Sequence, residues 1–406
     1  MQSTRCGVVW ALILGAGLAP GAVEPPEPGA AAPESAGVAG GETAADDEKL
    51  RALSREEAEA MVATTWERIR RAIATGEQDD SIPYRGMEMR FLEREFGDAP
   101  TDGRSLWISL HGGGGAPTEV NDQQWRNQIR LYEPAEGIYV APRAPTDTWN
   151  LWHQAHIDPM LERLISEMVA RRGVNPDKVY LLGYSAGGDG VYQLAPRMAD
   201  RFAAASMMAG HPNDAKPDGL RNLPFAIFMG GKDGAYDRNK VAAAWGETLA
   251  ALRADDAEGY EHRVTIYPEH GHWMNGDDRE AIPWMASQTR DAWPRRVVWV
   301  QDDVTHRRFY WLEVDPEHAV RGRTIVAEVD GQRISIESEE TAAVTLHLRD
   351  GLVDLDEPVI VEFNGLVVFE GAVRRTERAI AESLSLRNDP AMASTARLRV
   401  ERAETP

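Results

Sequence analysis

Strand-like and helix-like apolar patterns alternate along the middle of the chain. Short apolar runs predict strands at 87–96, 106–110, 138–141, 178–183, 203–209, 224–229 and 263–267. Helical spacing and composition predict helices at 159–172, 186–199, 241–253 and 281–292. Alternation of this kind indicates an α/β fold, in which a mostly parallel sheet carries helices on both faces.

The pattern changes near Pro294, after which the runs are rich in β-branched and aromatic residues. Strands are predicted at 297–300, 309–312, 325–329, 334–336, 344–348, 359–363 and 367–369, with one helix at 376–386. Asp330-Gly331 and Asn364-Gly365 are dipeptides typical of hairpin turns. We therefore expect a smaller, β-sandwich-like accessory domain at 296–406 and a larger α/β domain at 48–295.

The predicted α/β domain begins with a helix. Ser54 and Glu57 have the spacing of a capping box, in which the two side chains satisfy exposed backbone amides. Helically spaced apolar residues follow, at Ala58, Met61, Val62, Trp66, Ile69 and Ile73. Gly76 is the predicted end of this helix, which we expect to pack on the rest of the α/β domain.

The start of the chain has the layout of a secretory signal. Arg5 precedes an apolar run at 7–18, and small residues follow it, so residues 1–22 are predicted to be a signal peptide and residues 23–47 a flexible linker. We expect an exported protein, periplasmic or secreted, with no stable membrane insertion after cleavage; an uncleaved anchor is the alternative. The sole cysteine, Cys6, would be removed, leaving no disulfide and no thiolate chemistry.

Composition narrows the classes of function. The chain has 406 residues, of which 43% are hydrophobic and 27% charged, as in soluble proteins with a real core. Its formal net charge of −21 opposes binding to nucleic acid or to anionic membranes. The chain contains no basic stripe that would reverse this expectation.

The candidate nucleophile is Ser185, in the run Gly183-Tyr-Ser-Ala-Gly187 between a predicted strand and a predicted helix. A sharp strand-to-helix turn of this kind exposes the serine hydroxyl above the sheet. Tyr184 within it is expected to be structural. The helix N-terminus places the amide of Ala186 where it can stabilise developing negative charge.

A serine nucleophile needs a base and a group that orients the base. Asp233 follows the strand predicted at 224–229, and His272 follows the strand predicted at 263–267. The chain order Ser185, Asp233, His272 is the one expected when the acid and the histidine lie on later strand-end loops. Asp237 is the alternative acid, and His270 the alternative base.

The oxyanion donors are predicted in His111-Gly-Gly-Gly-Gly115, directly after a strand. Gly113 and Gly114 can turn their amides towards a carbonyl oxygen without a side-chain clash, and Ala186 would supply the second donor. The run resembles the glycine-rich oxyanion element of lipases and esterases.

Together these motifs resemble the α/β-hydrolase superfamily over residues 84–293. The glycine loop and Gly-Tyr-Ser-Ala-Gly-Gly are most similar to a secreted branch with polyhydroxybutyrate-depolymerase-like and feruloyl-esterase-like members. The resemblance implies hydrolysis of a small or polymeric carboxylic ester through an acyl-enzyme. The predicted mechanism needs no cofactor and no metal. The alternatives are a serine peptidase of the prolyl-oligopeptidase type and a non-catalytic protein that binds carbohydrate or a surface.

Candidate substrate-binding residues lie on loops that follow strands. Trp149 and Trp152 could stack on a ring, with His153 beside them. The spacing of His153 and His156 is too common to predict a metal site. Further candidates near the nucleophile or the base are Asp189, His211 and Trp273. The sequence does not predict an oligomeric state.

Overall fold

The structure, a computed structural model, describes residues 52–76 and 80–403. The predicted signal peptide, the predicted linker and Cys6 lie outside these residues. Within the described part of the chain, no helix has the length and apolar character of a transmembrane segment.

The largest element is an eight-stranded sheet. Its strands are β1 (Ser81–Tyr84), β2 (Met87–Phe96), β3 (Arg104–Leu110), β4 (Gly137–Pro142), β5 (Val174–Tyr184), β6 (Ala204–Met208), β7 (Phe225–Gly230) and β8 (His262–Tyr267). They are ordered β1-β2-β4-β3-β5-β6-β7-β8. The pairs β1–β2 and β2–β4 are antiparallel and the others parallel, so the predicted mostly parallel sheet is confirmed.

Helices cover both faces of this sheet. They are α1 (Arg55–Thr75), α2 (Thr118–Gln128), α3 (Ile157–Arg172), α4 (Ala186–Arg197), α5 (Arg238–Asp255) and α6 (Ala281–Ala286). Consecutive residues of β3 alternate between the faces: Leu106 and Ile108 belong to the buried cluster that includes residues of α3, α4 and α5, whereas Trp107 belongs to the cluster that includes residues of α2 and α6.

Two smaller sheets follow residue 295. One has the order β10-β11-β14-β17 and the other β16-β15-β13-β12-β9. The strands are β9 (Arg296–Val300), β10 (Arg308–Phe309), β11 (Leu312–Glu313), β12 (Thr324–Asp330), β13 (Arg333–Glu337), β14 (Ala343–Leu348), β15 (Val359–Phe363), β16 (Leu366–Gly371) and β17 (Ala396–Glu401), with helix α7 at Glu377–Arg387. Both predicted hairpin turns occur, and they place Gly331 and Gly365 at positive φ (56° and 77°).

Several predicted elements were wrong or missing. Helix α2 and strands β1 and β17 were not predicted. The strand predicted at 309–312 is split into β10 and β11, because Tyr310 takes a positive φ of 51°. The helix predicted at 281–292 ends at Ala286, and the chain then turns to bury Arg290 against the carboxylate of Asp177 at 2.7 Å.

The C-terminal sheets share one hydrophobic core with the large sheet. The buried Trp311 indole donates to the Pro294 carbonyl at 2.8 Å, and the Tyr310 hydroxyl donates to the Ala199 carbonyl at 3.1 Å. The predicted division of the chain between 295 and 296 stays a prediction, since apolar contacts run across this position.

Charged side chains are also buried between the large sheet and the C-terminal region. The carboxylate of Asp389 lies 2.9 Å from Arg201 and 2.9 Å from Arg290, and the three side chains are each 1% exposed. Burial alone would raise the pKa of Asp389, but the two guanidinium groups hold it below its ordinary value. The C-terminal region is therefore joined to the large sheet by a compensated buried ion cluster as well as by apolar packing.

Helix α1 begins as the sequence predicts. The Ser54 hydroxyl accepts from the Glu57 amide at 3.1 Å, and the Glu57 carboxylate accepts from the Ser54 amide at 2.9 Å, which completes the capping box. The helix packs Ala58 against Ile380 and Leu384 of α7. Helix α1 therefore contacts the C-terminal region, and this contact was not predicted.

Candidate active site

Ser185 lies in a sharp turn between β5 and α4. Its backbone has φ 59° and ψ −123°, a region that L residues rarely occupy, and its amide donates to the Met208 carbonyl at 2.9 Å. Glycine is needed at Gly187, because a Cβ there would lie 2.0 Å from the Leu110 carbonyl oxygen. At Gly183, a Cβ would lie 2.3 Å from the carbonyl oxygen of Gly187. The flanking glycines thus let neighbouring backbone approach the turn closely.

The structure brings Ser185, His272 and Asp233 together. The Nε2 atom of His272 lies 2.9 Å from the Ser185 Oγ, and its Nδ1 atom lies 2.7 Å from the Asp233 carboxylate. Asp233 is 3% exposed. An ionised carboxylate can only accept, so Nδ1 carries the proton and Nε2 is free to accept the Ser185 hydroxyl proton.

The loops that carry the aspartate and the histidine pack on each other. A Cβ on Gly230, at the end of β7, would lie 1.9 Å from the Gly271 carbonyl oxygen, immediately before His272. The Lys232 amide donates to the His270 carbonyl at 2.8 Å. This close approach places Asp233 beside the imidazole that it orients.

Tyr184 fixes the histidine loop from the other side. Its hydroxyl donates to the backbone carbonyl of His272 at 2.7 Å and accepts from the Met274 amide at 3.0 Å. The residue before the candidate nucleophile therefore anchors the backbone of the candidate base. A structural role was predicted for Tyr184, but its contact with the histidine loop was not predicted.

The two alternative residues lie elsewhere. Asp237 is exposed and pairs with Lys240 at 2.7 Å. His270 pairs with Asp277, also at 2.7 Å. Neither side chain takes part in the contacts between Ser185, His272 and Asp233.

The glycine loop 111–115 lies against the nucleophile. A Cβ on Gly112 would be 3.1 Å from the Ser185 Cβ. Within the described residues, the amides of Gly113 and Ala186 donate no hydrogen bond. The prediction for Gly114 needs correction, because its amide already donates to the Asn121 side-chain oxygen at 2.8 Å and is not free to bind an oxyanion.

The candidate active site lies in a segment of the chain that matches a known protein family. Residues 139–303 match the model of the dienelactone hydrolase family, and the matched segment contains Ser185, Asp233 and His272. The large sheet and the helices on its faces have the α/β-hydrolase fold, and we call this part of the chain the hydrolase domain. This confirms the resemblance at the level of the superfamily.

The hydrolase domain is also similar to individual proteins. "Putative esterase NocK" of Nocardia uniformis subsp. tsuyamanensis is 28% identical over 162 residues, or 37% of this chain and 46% of that protein. The chain thus spans less than half the length of this curated relative. Similar solved structures include LpqC, a poly(3-hydroxybutyrate) depolymerase from Bordetella parapertussis (17% identity, 56% of this chain and 96% of that chain, TM-score 0.40). A ferulic acid esterase is 14% identical over 51% of this chain and 96% of that chain, with a TM-score of 0.34.

Of the two tryptophans predicted to bind substrate, only Trp149 is accessible. Its side chain is 64% exposed. Its Cα atom lies 3.3 Å from the position of a Cβ on Gly114, so Trp149 flanks the glycine loop of the hydrolase domain. The prediction for Trp152 was wrong: its side chain is fully buried against Gly190, and its indole donates to the His111 carbonyl at 3.0 Å.

His153 is also largely buried, which leaves little of its side chain for a substrate to contact. It is 8% exposed, and burial lowers its pKa to about 4. Its ring meets the edge of Trp149, with the ring centres 5.5 Å apart. His153 therefore packs against the exposed indole of Trp149.

Three further candidates surround the nucleophile and the base. The Asp189 carboxylate accepts from the His211 amide at 2.6 Å, and burial raises the pKa of Asp189 to about 6. His211 also accepts from the Asn213 amide through Nδ1, at 2.9 Å. The Trp273 ring packs on Tyr184, with the ring centres 5.4 Å apart. Asp189 and His211 thus form a polar pair beside Ser185, and Trp273 supports the turn.

Sequence reasoning missed Asn121, which holds the glycine loop. This side chain is fully buried on α2. Helix α2 was not predicted because its buried residues are Asn121, Trp125 and Gln128, and two of these three are polar. Because most of the buried positions carry polar side chains, the helix shows no apolar periodicity in the sequence.

Proposed function

We propose that the hydrolase domain cleaves a carboxylic ester through a covalent acyl-enzyme, with Ser185 as the nucleophile. The observation that carries the proposal is the pair of contacts made by His272, with Ser185 Oγ at 2.9 Å and Asp233 at 2.7 Å. The family match and the similarity to NocK support a hydrolase of the esterase type.

In the acylation step, His272 Nε2 takes the hydroxyl proton as Ser185 Oγ adds to the ester carbonyl carbon. The carbonyl π electrons move onto the oxygen, where the free amides of Gly113 and Ala186 stabilise the negative charge. Asp233 stabilises the imidazolium that forms. The intermediate then expels the alcohol, which receives the proton from His272.

In the deacylation step, water adds to the acyl carbon as His272 accepts one of its protons. The second tetrahedral intermediate releases the carboxylic acid, and His272 returns the proton to Ser185 Oγ. Atoms and charge balance with water as the only co-substrate.

A fluorophosphonate probe with an alkyl chain tests the nucleophile directly. We expect a covalent adduct on Ser185, identified by mass spectrometry of the digested protein. An excess of substrate ester should slow the labelling, because ester and probe compete for the same hydroxyl. Absence of the adduct in folded protein would favour a non-catalytic binding protein.

A substrate panel separates the esterase from the peptidase alternative. Acyl esters of increasing chain length, an aryl ester and a soluble oligoester should be tested beside prolyl and non-prolyl peptide amides. We expect hydrolysis of esters. Cleavage of peptides with higher kcat/KM than of every ester would replace the proposal with a serine peptidase.

Trp149 is proposed as a binding surface for the apolar or ring-bearing part of the substrate. Trp149→Ala should raise KM for an aryl or oligomeric ester by about 3- to 10-fold, since aromatic contacts contribute about 0.5–1.5 kcal/mol. The KM for a short acetate ester should not change. Leu386→Ala, which removes another exposed apolar side chain on α7, is the matched control. Equal KM values for the two variants on all esters would contradict this role.

Export of the protein is a separate proposal that rests on residues 1–22. N-terminal sequencing of protein recovered from its native cells should give a first residue between 20 and 23. An intact Met1 would contradict cleavage.

A further inference from the structure

One peptide group of the glycine loop is held so that its N–H direction is fixed. The Gly112 carbonyl accepts from His111 Nδ1 at 2.6 Å, while His111 Nε2 accepts from the Ala144 amide at 3.1 Å. Burial lowers the pKa of His111 to about 4, so the ring is neutral and Nδ1 carries its proton. The C=O and N–H of a trans peptide point in opposite directions, so this bond also sets the direction of the Gly113 amide.

The next amide along the loop is anchored by Asn121. The Gly114 amide donates to Asn121 Oδ1 at 2.8 Å. The same oxygen lies 2.2 Å from the position that a Cβ on Gly113 would occupy, so the Asn121 side chain also packs against Gly113. His111 and Asn121 therefore restrain the loop from the two sides of the Gly113 amide.

The orientation of the Asn121 amide is set by its own partners. Its Nδ2 donates to the Asp147 carboxylate at 2.8 Å and to the Ala116 carbonyl at 3.2 Å. Only an NH₂ group can donate to a carboxylate, so the oxygen of Asn121 must face Gly114.

Asp147 is held in turn by two further side chains. Thr118 donates to its carboxylate at 2.7 Å, and the buried Arg143 pairs with it at 2.5 Å. Burial alone would raise the pKa of Asp147, but the hydrogen bonds from Thr118, Arg143 and Asn121 bring it below its ordinary value. The carboxylate is therefore ionised at neutral pH and acts as a fixed acceptor for Asn121.

We propose that Asn121 is a positioning residue for the oxyanion site: it holds the Gly114 amide so that the free Gly113 amide faces the ester carbonyl oxygen as Ser185 adds to it. The inference rests on the proposed esterase function. Asn121 touches neither the substrate nor the reacting atoms. It acts only through the conformation of the glycine loop, whose donor must be in place before charge develops.

Asn121→Ala tests the inference, with Gln128→Met as the matched control. Gln128 lies on the same helix, is equally buried, and donates to Ser109 at 2.7 Å without touching the glycine loop. Direct loss of one oxyanion donor lowers kcat by about 10²–10³-fold. For the indirect loss in Asn121→Ala we expect about 10–100-fold in kcat, with KM within about twofold of the control.

An alkyl boronic acid supplies a readout that a loss of stability alone would not change. It forms a tetrahedral adduct with the serine and resembles the transition state, so its Ki in Asn121→Ala should rise by the same factor as kcat/KM falls. Binding of a ground-state ketone analogue that forms no adduct should not change. A kcat and boronate Ki equal to those of Gln128→Met would overturn the inference.

Thr118→Val provides a milder second variant if Asn121→Ala does not fold. It removes only the exposed hydroxyl that donates to Asp147, and a smaller fall in kcat with unchanged KM is expected. An unchanged kcat would then overturn the inference. Failure of the proposed function is distinguishable, because wild-type protein would itself hydrolyse no ester and carry no probe on Ser185.

Discussion

Ser185→Ala is expected to lower kcat for ester hydrolysis by at least about 10⁴-fold, since removal of a nucleophile of this type has cost about 10⁶-fold elsewhere. Alanine keeps the Cβ that packs in the turn at φ 59°, so the fold should survive. The measurement is steady-state hydrolysis of a chromogenic ester, with circular dichroism and the melting temperature recorded for the same preparation. A folded variant with undiminished turnover would assign the chemistry to another residue.

The double variant Ser185→Ala/His272→Ala sharpens this test. In the proposed mechanism the two side chains, 2.9 Å apart, act as one unit, so the double variant should be no slower than the slower single variant. Multiplicative losses would indicate that His272 acts independently of Ser185 and would contradict the proposed proton transfer.

Asp389→Asn is expected to destabilise the protein by about 3–5 kcal/mol, because it leaves Arg201 and Arg290 buried with one negative partner fewer. The measurement is the free energy of unfolding from denaturant titration. Asp354→Asn is the control, since Asp354 is 50% exposed and pairs with the half-exposed Arg55. The control should cost at most about 1 kcal/mol.

The effect of Asp389→Asn should depend on pH. The pKa of Asp389 is lower in the folded than in the unfolded chain, so its ionised form stabilises the protein at neutral pH. That contribution is lost as the pH falls through the folded-state pKa, and the difference between variant and wild type should shrink below about pH 4. A difference that grows on acidification would show that the cluster does not hold an ionised Asp389.

The large sheet and the turn at Ser185 were predictable because both are encoded locally. Strand β3 is buried along almost its whole length, and its part at 106–110 is apolar except for Ser109. The glycines around Ser185 mark a conformation that few other residues permit. The elements that were predicted wrongly or not at all depend on contacts between residues that are far apart in the sequence.

Trp149 and Trp152 illustrate why the substrate surface was harder to predict. They are three residues apart on one loop and have the same side chain, yet one is 64% exposed and the other fully buried. The difference comes from Gly190 of α4, where the absent side chain makes room for Trp152. The residues around position 150 form no pattern that would predict this difference in exposure.

The glycine loop is a second feature whose role could not be predicted from local sequence. Gly113 and Gly114 are indistinguishable in sequence, and both take a positive φ, of 115° and 84°. Only the position of Asn121, on a helix with a polar buried face, separates a free amide from an occupied one.

The core that runs between the large sheet and the C-terminal sheets also constrains how this chain can evolve. Recombination between genes transfers a domain intact where few contacts cross its boundary. Here Trp311 bonds to Pro294, and Asp389 pairs with Arg201 and Arg290, across the point where a cut would fall. We therefore expect the hydrolase domain and its C-terminal sheets to be inherited as one unit, and Asp389 to co-vary with its two arginines among descendants of a common ancestor.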